Sequence, residues 1–403
     1  MTYNTRGHKP RGASSFKRGR SAPRQSNTRS RYANPGVHID VSRFVNKAVI
    51  TEEVENFIPE HTFADFGFQD LITKNIVSKG YATLTPIQDR SIPHVMRGED
   101  IVGIANTGTG KTAAFLIPLI NKIVLDPREK VLVVVPTREL ATQIDDELKT
   151  FAKGSGLFSV ICVGGTSMGA QIRDLRHRHH FVIGTPGRLK DLIEQRVLDL
   201  SGFNTVVLDE ADRMLDMGFI ADMRFMMAKM PKNRHTLFFS ATLSPEIEKL
   251  IHEFLRTPVR ISVKTQDTSK NVHQDVIRIP SGKTKIDVLN DLLIQQEFTK
   301  VLVFGRTKHG VEKLARELNK RGIKSESIHG NKSQPQRQRA LDLFKRDHAQ
   351  VLTATDVAAR GLDITGVTHV INFDLPATYD DYVHRIGRTG RGDSKGKALT
   401  FIE

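Results

Sequence analysis

The chain has 403 residues, one cysteine and a net charge of +15. That length is too great for one ordinary domain, so two are expected. The lone Cys162 excludes an internal disulfide, and no apolar run reaches the roughly 20 residues that span a bilayer. The N-terminus lacks the apolar core of a secretion signal, which predicts a cytoplasmic protein that is not inserted in a membrane. The excess of positive charge predicts a polyanionic partner, nucleic acid first and an anionic membrane surface second.

The charge is unevenly placed. Residues 1–36 carry nine Lys/Arg, no Asp or Glu, and Arg-Gly pairs at Arg6, Arg11 and Arg18. Such a segment buries too little apolar surface to offset chain entropy, so it reads as a disordered tail that contacts RNA without sequence preference. Residues 37–62 form an extension with no assigned role. From Phe63 the pattern becomes that of a folded domain, assigned to 63–264. Leu71, Ile72, Ile76 and Val77 recur at helical spacing and Gly80 is a plausible stop.

The next stretch carries the chemistry. Ile101 to Ile104 is a short apolar run. It is followed by Ala105, Asn106, Thr107, Gly108, Thr109, Gly110, Lys111 and Thr112, then by an apolar helical pattern. Strand, glycine loop and helix in that order make a phosphate cradle. The glycines let backbone N–H groups turn inward, and the helix N-terminus adds positive potential. Lys111 then reaches the β- and γ-phosphates, and the Thr112 hydroxyl ligates Mg²⁺. Ala105 departs from the general pattern, which has glycine there.

Apolar, β-branched runs at 131–135, 158–163, 181–183, 205–208 and 236–239 alternate with helical patterns. That alternation predicts a parallel sheet covered on both faces. Each run ends in polar residues, and ligand sites of open α/β sheets lie at that edge. The run at 205–208 ends in Asp209-Glu210-Ala211-Asp212. An Asp there can hold the Mg²⁺ water shell opposite Thr112, and the neighbouring Glu can orient and deprotonate an attacking water. Three histidines at 177, 179 and 180 sit in a basic run without a Cys or acid at ligand spacing, and read as solvated surface.

Residues 265–271 are polar and apolar-poor, and read as a linker. A second alternation follows over 272–403, with runs at 300–304, 325–328, 350–353, 369–372 and 398–402. The fold class is therefore α/β, with two tandem domains built on parallel sheets. In the second, His384 to Arg391 holds three arginines and two glycines. Beside a P-loop in another domain, that run is a candidate source of arginine fingers.

Taken together, the ordered motifs resemble the DEAD-box family of ATP-dependent RNA helicases, whose two domains are RecA-like. The resemblance runs from about Phe63 to the C-terminus. Gly80 through Gln88 resembles the Q motif, 105–112 motif I, Pro136-Thr137-Arg138-Glu139-Leu140 motif Ia, Gly164-Gly165 the glycine doublet, and Thr185 to Arg188 motif Ib. Asp209 to Asp212 spells the family's name and Ser240-Ala241-Thr242 matches motif III. Arg306-Thr307, Gln334 with Arg337, Thr355 through Asp363, and His384 to Arg391 follow in the family's order.

The resemblance implies a set of roles. Gln88 reads the adenine edge, Tyr81 stacks on the base with Phe63 as the upstream aromatic, and Asp363 meets the ribose. The resemblance also narrows the candidate arginine fingers to Arg388 and Arg391. Asp212, Ser240, Thr242 and His384 couple the catalytic centre to domain closure. Pro136, Thr137, Arg138, Gly165, Thr185, Arg188, Gln334, Arg337 and Thr355 grip the RNA sugar–phosphate backbone, with no base readout. The implied cofactors are ATP and Mg²⁺. The implied partner is single-stranded or structured RNA, with ribonucleoprotein or ribosome-associated proteins around it, and the implied state is a monomer. Leu84 departs from the usual proline of the Q motif, Asn106 occupies a variable position, and the chain ends at Glu403 where the family usually adds a helix. A DNA translocase and a non-catalytic RNA clamp are the competing readings. Intact Lys111, Glu210, Arg388 and Arg391 speak against the clamp.

Overall fold

The computed structural model describes residues 45, 57–106, 108–263, 272–359, 362, 364–390 and 396–402, all within a compact unit spanning Ile39–Glu403. The expected tail and linker lie outside these residues, as do Thr107, Asp363 and Arg391.

A 3-10 turn at Phe63–Phe66 leads into α1 (Asp70–Ser78) and α2 (Pro86–Met96). The helix α2 starts where its sequence says it should. Pro86 occupies the first turn and Thr85 caps it, with the Gln88 side chain reaching back to the Thr85 N–H. The alternation then runs β1 (Ile101–Ile104), α3 (Lys111–Leu125), β2 (Val131–Val134), α4 (Arg138–Phe151), β3 (Ser159–Cys162), α5 (Met168–Arg176), β4 (Phe181–Gly184) and α6 (Pro186–Glu194). It continues with β5 (Thr205–Leu208), α7 (Ala211–Asp216), α8 (Ile220–Lys229), β6 (His235–Ser240), α9 (Pro245–Phe254) and β7 (Val259–Ser262).

These seven strands form one parallel sheet in the order β3-β4-β2-β5-β6-β1-β7. Successive side chains go to opposite faces, as the pleat requires. Val131, Val133, Ile183 and Val207 join a core with Phe115, Ile117 and Ile144. Leu132, Val134, Val182 and Val206 join another with Met214, Met226 and Leu250. Burial on both faces is why these strands read as unbroken apolar runs.

The second sheet is built from β8 (Val272–Arg278), β9 (Val301–Phe304), β10 (Ser325–Ile328), β11 (Val351–Ala354), β12 (His369–Asn372) and β13 (Gly396–Ile402). Its helices are α10 (Lys285–Leu293), α11 (Lys308–Lys320), α12 (Gln334–Lys345), the short α13 (Asp356–Ala359) and α14 (Tyr379–Ile386). The strand order is β10-β11-β9-β12-β13-β8, again parallel.

Every strand expected from an apolar run forms, with ends within two residues of the expectation. Two strands were not foreseen, β7 and β8, and both lie at sheet edges. An edge strand tolerates polar residues on its open side, so VRIS and VHQDVIR carry no continuous apolar run. The basic histidine run also differs from a solvated surface. His180 is buried and its Nδ1 accepts from the Phe158 N–H, while His179 stacks on Phe203. No helix among the described residues is long and apolar enough to cross a membrane.

Candidate active site

The P-loop leaves β1 and returns as α3 through Gly110, which is left-handed at φ 92°. A Cβ on Gly110 would lie 2.5 Å from Gln88 Nε2 and 2.9 Å from Thr85 Oγ1. Conformation and space together admit only glycine there. Lys111 opens α3 and is buried, its Nζ donating to the Ala105 carbonyl at 2.6 Å. Thr109 Oγ1 donates to the Asn106 carbonyl, so the loop is folded on itself. Gly108 is also left-handed, and Thr112 sits half-buried one residue into the helix.

Gln88 holds this loop from the side. Its Oε1 accepts from Thr85 N at 3.0 Å and its Nε2 donates to the Gly110 carbonyl at 3.1 Å. Gln88 is fully buried; after these bonds, its amide has one N–H and one lone pair left. Phe63 and Tyr81 meet edge-on at 6.3 Å between ring centroids, and Tyr81 meets Phe151 edge-on at 5.6 Å. The next residue of α2, Asp89, is buried and collects the N–H groups of Glu60 and His61 and the His61 ring. That draws the chain before Phe63 onto α2.

Asp209 and Glu210 leave β5 at the same sheet edge. Asp209 is buried, and burial holds its carboxyl above the usual carboxylate range against the opposing pull of the Lys111 charge. Its Oδ1 accepts from the Glu210 N–H. Glu210 is left-handed at φ 54°, which costs a non-glycine residue about 1–2 kcal/mol. The turn swings its side chain onto Arg213, whose Nη1 donates to Oε2 at 2.7 Å with both groups buried. Asp212 reaches the other way. Its Oδ2 accepts from the Ala241 N–H and the Thr242 N–H, each at 3.0 Å, and from the Thr242 hydroxyl at 3.1 Å. Ser240 Oγ donates to the Thr242 carbonyl, and the Ser240 carbonyl accepts from the Ala105 N–H. The strand end after β6 is thus bonded to the acid motif on one side and to the P-loop on the other.

The residues expected to hold RNA lie at the strand ends and helix starts of both sheets. Thr137 caps α4. The Arg138 guanidinium covers Gly165, where a Cβ would meet it. Arg188 Nη1 donates to Gln171 Oε1. Pro136 is buried, Thr185 stands just before the first turn of α6, and the Thr355 carbonyl accepts from Ala358 and Ala359. Gln334 starts α12, and one turn on, Arg337 meets Glu139 of α4 at 2.9 Å. Burial draws the Arg337 guanidinium below its ordinary value.

The arginine run of the second sheet divides in two. Arg385 is buried, bidentate on Asp356 at 2.6 and 2.8 Å, and bonded to Asn372 Oδ1 and the Asp374 carbonyl. It is a structural arginine. Arg388 is also buried, its Nη1 donating to the Leu362 carbonyl at 2.7 Å. His384 lines a small recess with Phe304, Asp356 and Arg388.

Sequence reasoning left Glu139, Gln171, Arg213, Asp356 and Arg385 without roles. Each is the ion-pair or hydrogen-bond partner of a residue that was assigned or its neighbour. Adjacency to an assigned neighbour was visible in one dimension for Glu139, Arg213, Asp356 and Arg385, next to Arg138, Asp212, Thr355 and His384; the contacts themselves were not.

Two family models match this chain: the DEAD/DEAH box helicase model over residues 85–250 and the helicase conserved C-terminal domain model over 284–393. DEAD-box ATP-dependent RNA helicase CshA of Bacillus subtilis is 45% identical over 343 residues, covering 85% of this chain and 69% of the relative. The Bacillus cereus protein of the same name is 45% identical over 344 residues, and there the match spans 65% of the relative's length. Among solved structures, S. cerevisiae Dbp5 bound to RNA and ADP BeF3 superposes with a TM-score of 0.75 at 27% identity, covering 85% of this chain and 89% of that one. Mss116p bound to ssRNA and AMP-PNP gives 0.76 at 30% identity, with 84% and 73% covered. With the P-loop, the acid motif and the arginine run in place on two parallel sheets, the chain belongs to the DEAD-box family of ATP-dependent RNA helicases.

Proposed function

We propose that this protein is an RNA-stimulated ATPase that uses closure of its two sheet domains on ATP and RNA to bend one RNA strand and part short duplexes or remodel ribonucleoproteins. One observation carries the reading: Lys111, Asp209 and Glu210, from α3 and the end of β5, meet at one buried sheet edge.

The residues present suit a nucleotide with Mg²⁺. The loop around Gly110 leaves room where a Cβ would clash, Lys111 supplies a buried cation, and Thr112 and Asp209 offer the oxygen donors that Mg²⁺ takes, in part through water. Mg²⁺ held by Thr112 and Asp209 would supply neutralisation of charge on the β- and γ-phosphates. Lys111 binds the same oxygens. Gln88 keeps the P-loop seated and offers its remaining N–H and lone pair to the adenine edge, with Phe63 and Tyr81 on the base side. Asp363 takes the ribose. Glu210 orients a water and accepts its proton while the water oxygen bonds to the γ-phosphorus. The bond from that phosphorus to the bridging oxygen breaks, leaving ADP and phosphate. Arg388 and Arg391 stabilise the charge that develops on the transferred group.

Asp212 and Thr242 transmit the state of the centre to the β6 edge, and His384 answers from the second domain. RNA is gripped by Thr137, Arg138, Gly165, Thr185 and Arg188 on the first domain and by Gln334, Arg337 and Thr355 on the second, through sugar and phosphate. The working place of such a protein is the cytoplasm, as a monomer on RNA, with ribonucleoproteins as neighbours.

The test is ATP hydrolysis by the full chain with no nucleic acid, with single-stranded RNA and with single-stranded DNA of the same sequence. RNA is expected to stimulate and DNA is not. Glu210→Gln is expected to keep ATP binding and lose hydrolysis while holding RNA more tightly in ATP. Equal stimulation by DNA, or a Glu210→Gln protein that turns over ATP like the wild type, overturns the proposal.

A further inference from the structure

We propose that Arg213 is a positioning residue for Glu210: its guanidinium holds the Glu210 carboxylate in the orientation from which it meets the attacking water. The inference rests on the reading of Glu210 as the base.

Glu210 is poorly supported by its own backbone. It stands in the left-handed region at the exit of β5, so its side chain is aimed by a turn and not by a regular element. Two further carboxylates, Asp209 and Asp212, flank it within the same buried motif. Neither can orient it, and both repel it. Among the described residues, one hydrogen-bond donor reaches its carboxylate, the Arg213 Nη1 at 2.7 Å. Arg213 is three residues further on, the spacing that brings side chains together on one helical face. Its own N–H donates to Asp212 Oδ1, so the backbone carrying the guanidinium is tied to the carboxylate that clamps Ala241 and Thr242. Only Oε2 of Glu210 is engaged by Arg213. The pair therefore fixes the direction of the side chain without occupying the second oxygen.

A buried arginine with one polar partner has a simpler reading, as an ion pair that stabilises the turn. The two readings differ in kinetics. Loss of a stabilising pair lowers the melting temperature and leaves the turnover of the folded enzyme alone. Loss of a positioning contact lowers kcat, leaves KM for ATP in place, and has no further effect once the carboxylate is gone.

The experiment compares RNA-stimulated ATP hydrolysis by the full chain as wild type, Arg213→Gln, Arg213→Lys, Glu210→Gln and the double variant Glu210→Gln/Arg213→Gln, each with its melting temperature. General base catalysis contributes about 10²–10⁴-fold, so mispositioning the base is expected to cost roughly 10–100-fold in kcat, with KM for ATP within about twofold. Arg213→Lys keeps the charge but not the planar donor group, and its kcat is expected to fall between wild type and Arg213→Gln. On the Glu210→Gln background, adding Arg213→Gln is expected to change the residual rate by less than about twofold. The proposal is overturned if Arg213→Gln has wild-type kcat, or if it slows Glu210→Gln as much as it slows the wild type. If Arg213→Gln does not fold, Arg213→Lys decides: a wild-type kcat with a lowered melting temperature shows a purely structural arginine and overturns the proposal, whereas a lowered kcat at unchanged KM for ATP supports it. Should Glu210→Gln itself hydrolyse ATP at the wild-type rate, the base assignment fails first, and that outcome is distinct from a failure of Arg213 alone.

Discussion

Gln88 is the residue whose chemistry is most changed by the structure. In the sequence it is a base-reading amide. In the fold it is first a brace, with Oε1 on the Thr85 N–H and Nε2 on the Gly110 carbonyl. The two roles are compatible, because the amide keeps one N–H and one lone pair. Adenine offers the complement of that pair on its edge and guanine the reverse, so ATP is expected to outcompete GTP, CTP and UTP in RNA-stimulated hydrolysis. Gln88→Ala is expected to weaken ATP binding and also to lower the melting temperature. Two net hydrogen bonds, each about 0.5–1.5 kcal/mol, then leave a fully buried site. Competition assays and thermal melts separate the two losses. Equal use of all four nucleotides by the wild type removes the base-reading role and leaves the brace. Cys162 shows the opposite case, a residue with no role beyond packing. Burial pushes its thiol up to about 12, so it is protonated and inert at neutral pH.

Helices and strands carry a pH dependence that the motifs do not reveal. His369 opens β12, stacks on Phe298 at 4.0 Å, and is buried with no partner for its Nε2 among the described residues. Burial, helped by the nearby Lys397 charge and opposed by Glu297, lowers its pKa from an ordinary 6.5 to about 4. A depressed histidine means that the unfolded chain binds the proton more readily than the folded one. Stability is therefore full above about pH 6.5 and declines as the pH falls towards 4. The wild type is expected to lose melting temperature between pH 7 and pH 5, and His369→Phe to lose less, since a second ring keeps the stack and removes the titration. Parallel curves for the two proteins would remove His369 from the account. His179, His180 and His235 in the first domain are lowered in the same direction by burial and add to the slope. The central strands were legible because burial on both faces writes an apolar run, and the catalytic loop because glycine, lysine and threonine at fixed spacing have few other uses. The edge strands β7 and β8 were not, since half of their surface is free to be polar. Nor were the pairings Glu210–Arg213, Asp212–Thr242 and Arg337–Glu139, because a hydrogen bond between side chains leaves no periodic mark.

The two sheets meet through charge. Arg337 of α12 and Glu139 of α4 pair at 2.9 Å with both side chains largely buried. A buried pair contributes little net stability, but removing one partner strands the other and costs about 3–5 kcal/mol. Glu139→Ala and Arg337→Ala should each impair RNA-stimulated hydrolysis. The double variant should be less impaired than the two losses multiplied, while additive losses would show that the contact is not formed in the working state. The deeper question is whether the second domain takes part in the chemistry at all. Arg388 is buried at Leu362, far along the chain from the P-loop, and an arginine there can be purely structural, as Arg385 is. If Arg388 is a finger, it meets the γ-phosphate only when the domains are closed, and it can contribute about 10³–10⁵ in rate by stabilising charge in the transition state. Arg388→Ala and Arg391→Ala are then expected to reduce RNA-stimulated hydrolysis by a large factor. ATP binding by the first domain should be unchanged, since Lys111, Asp209 and Gln88 all lie within it. Full-length wild type and the two arginine variants are compared for hydrolysis in saturating RNA and for ATP affinity without it. A loss of rate without a loss of affinity supports delivery of the arginine across the cleft. An Arg388→Ala protein that hydrolyses ATP at the wild-type RNA-stimulated rate would show that closure supplies no arginine to the phosphate, and the two-domain mechanism would have to be replaced by one confined to the first sheet.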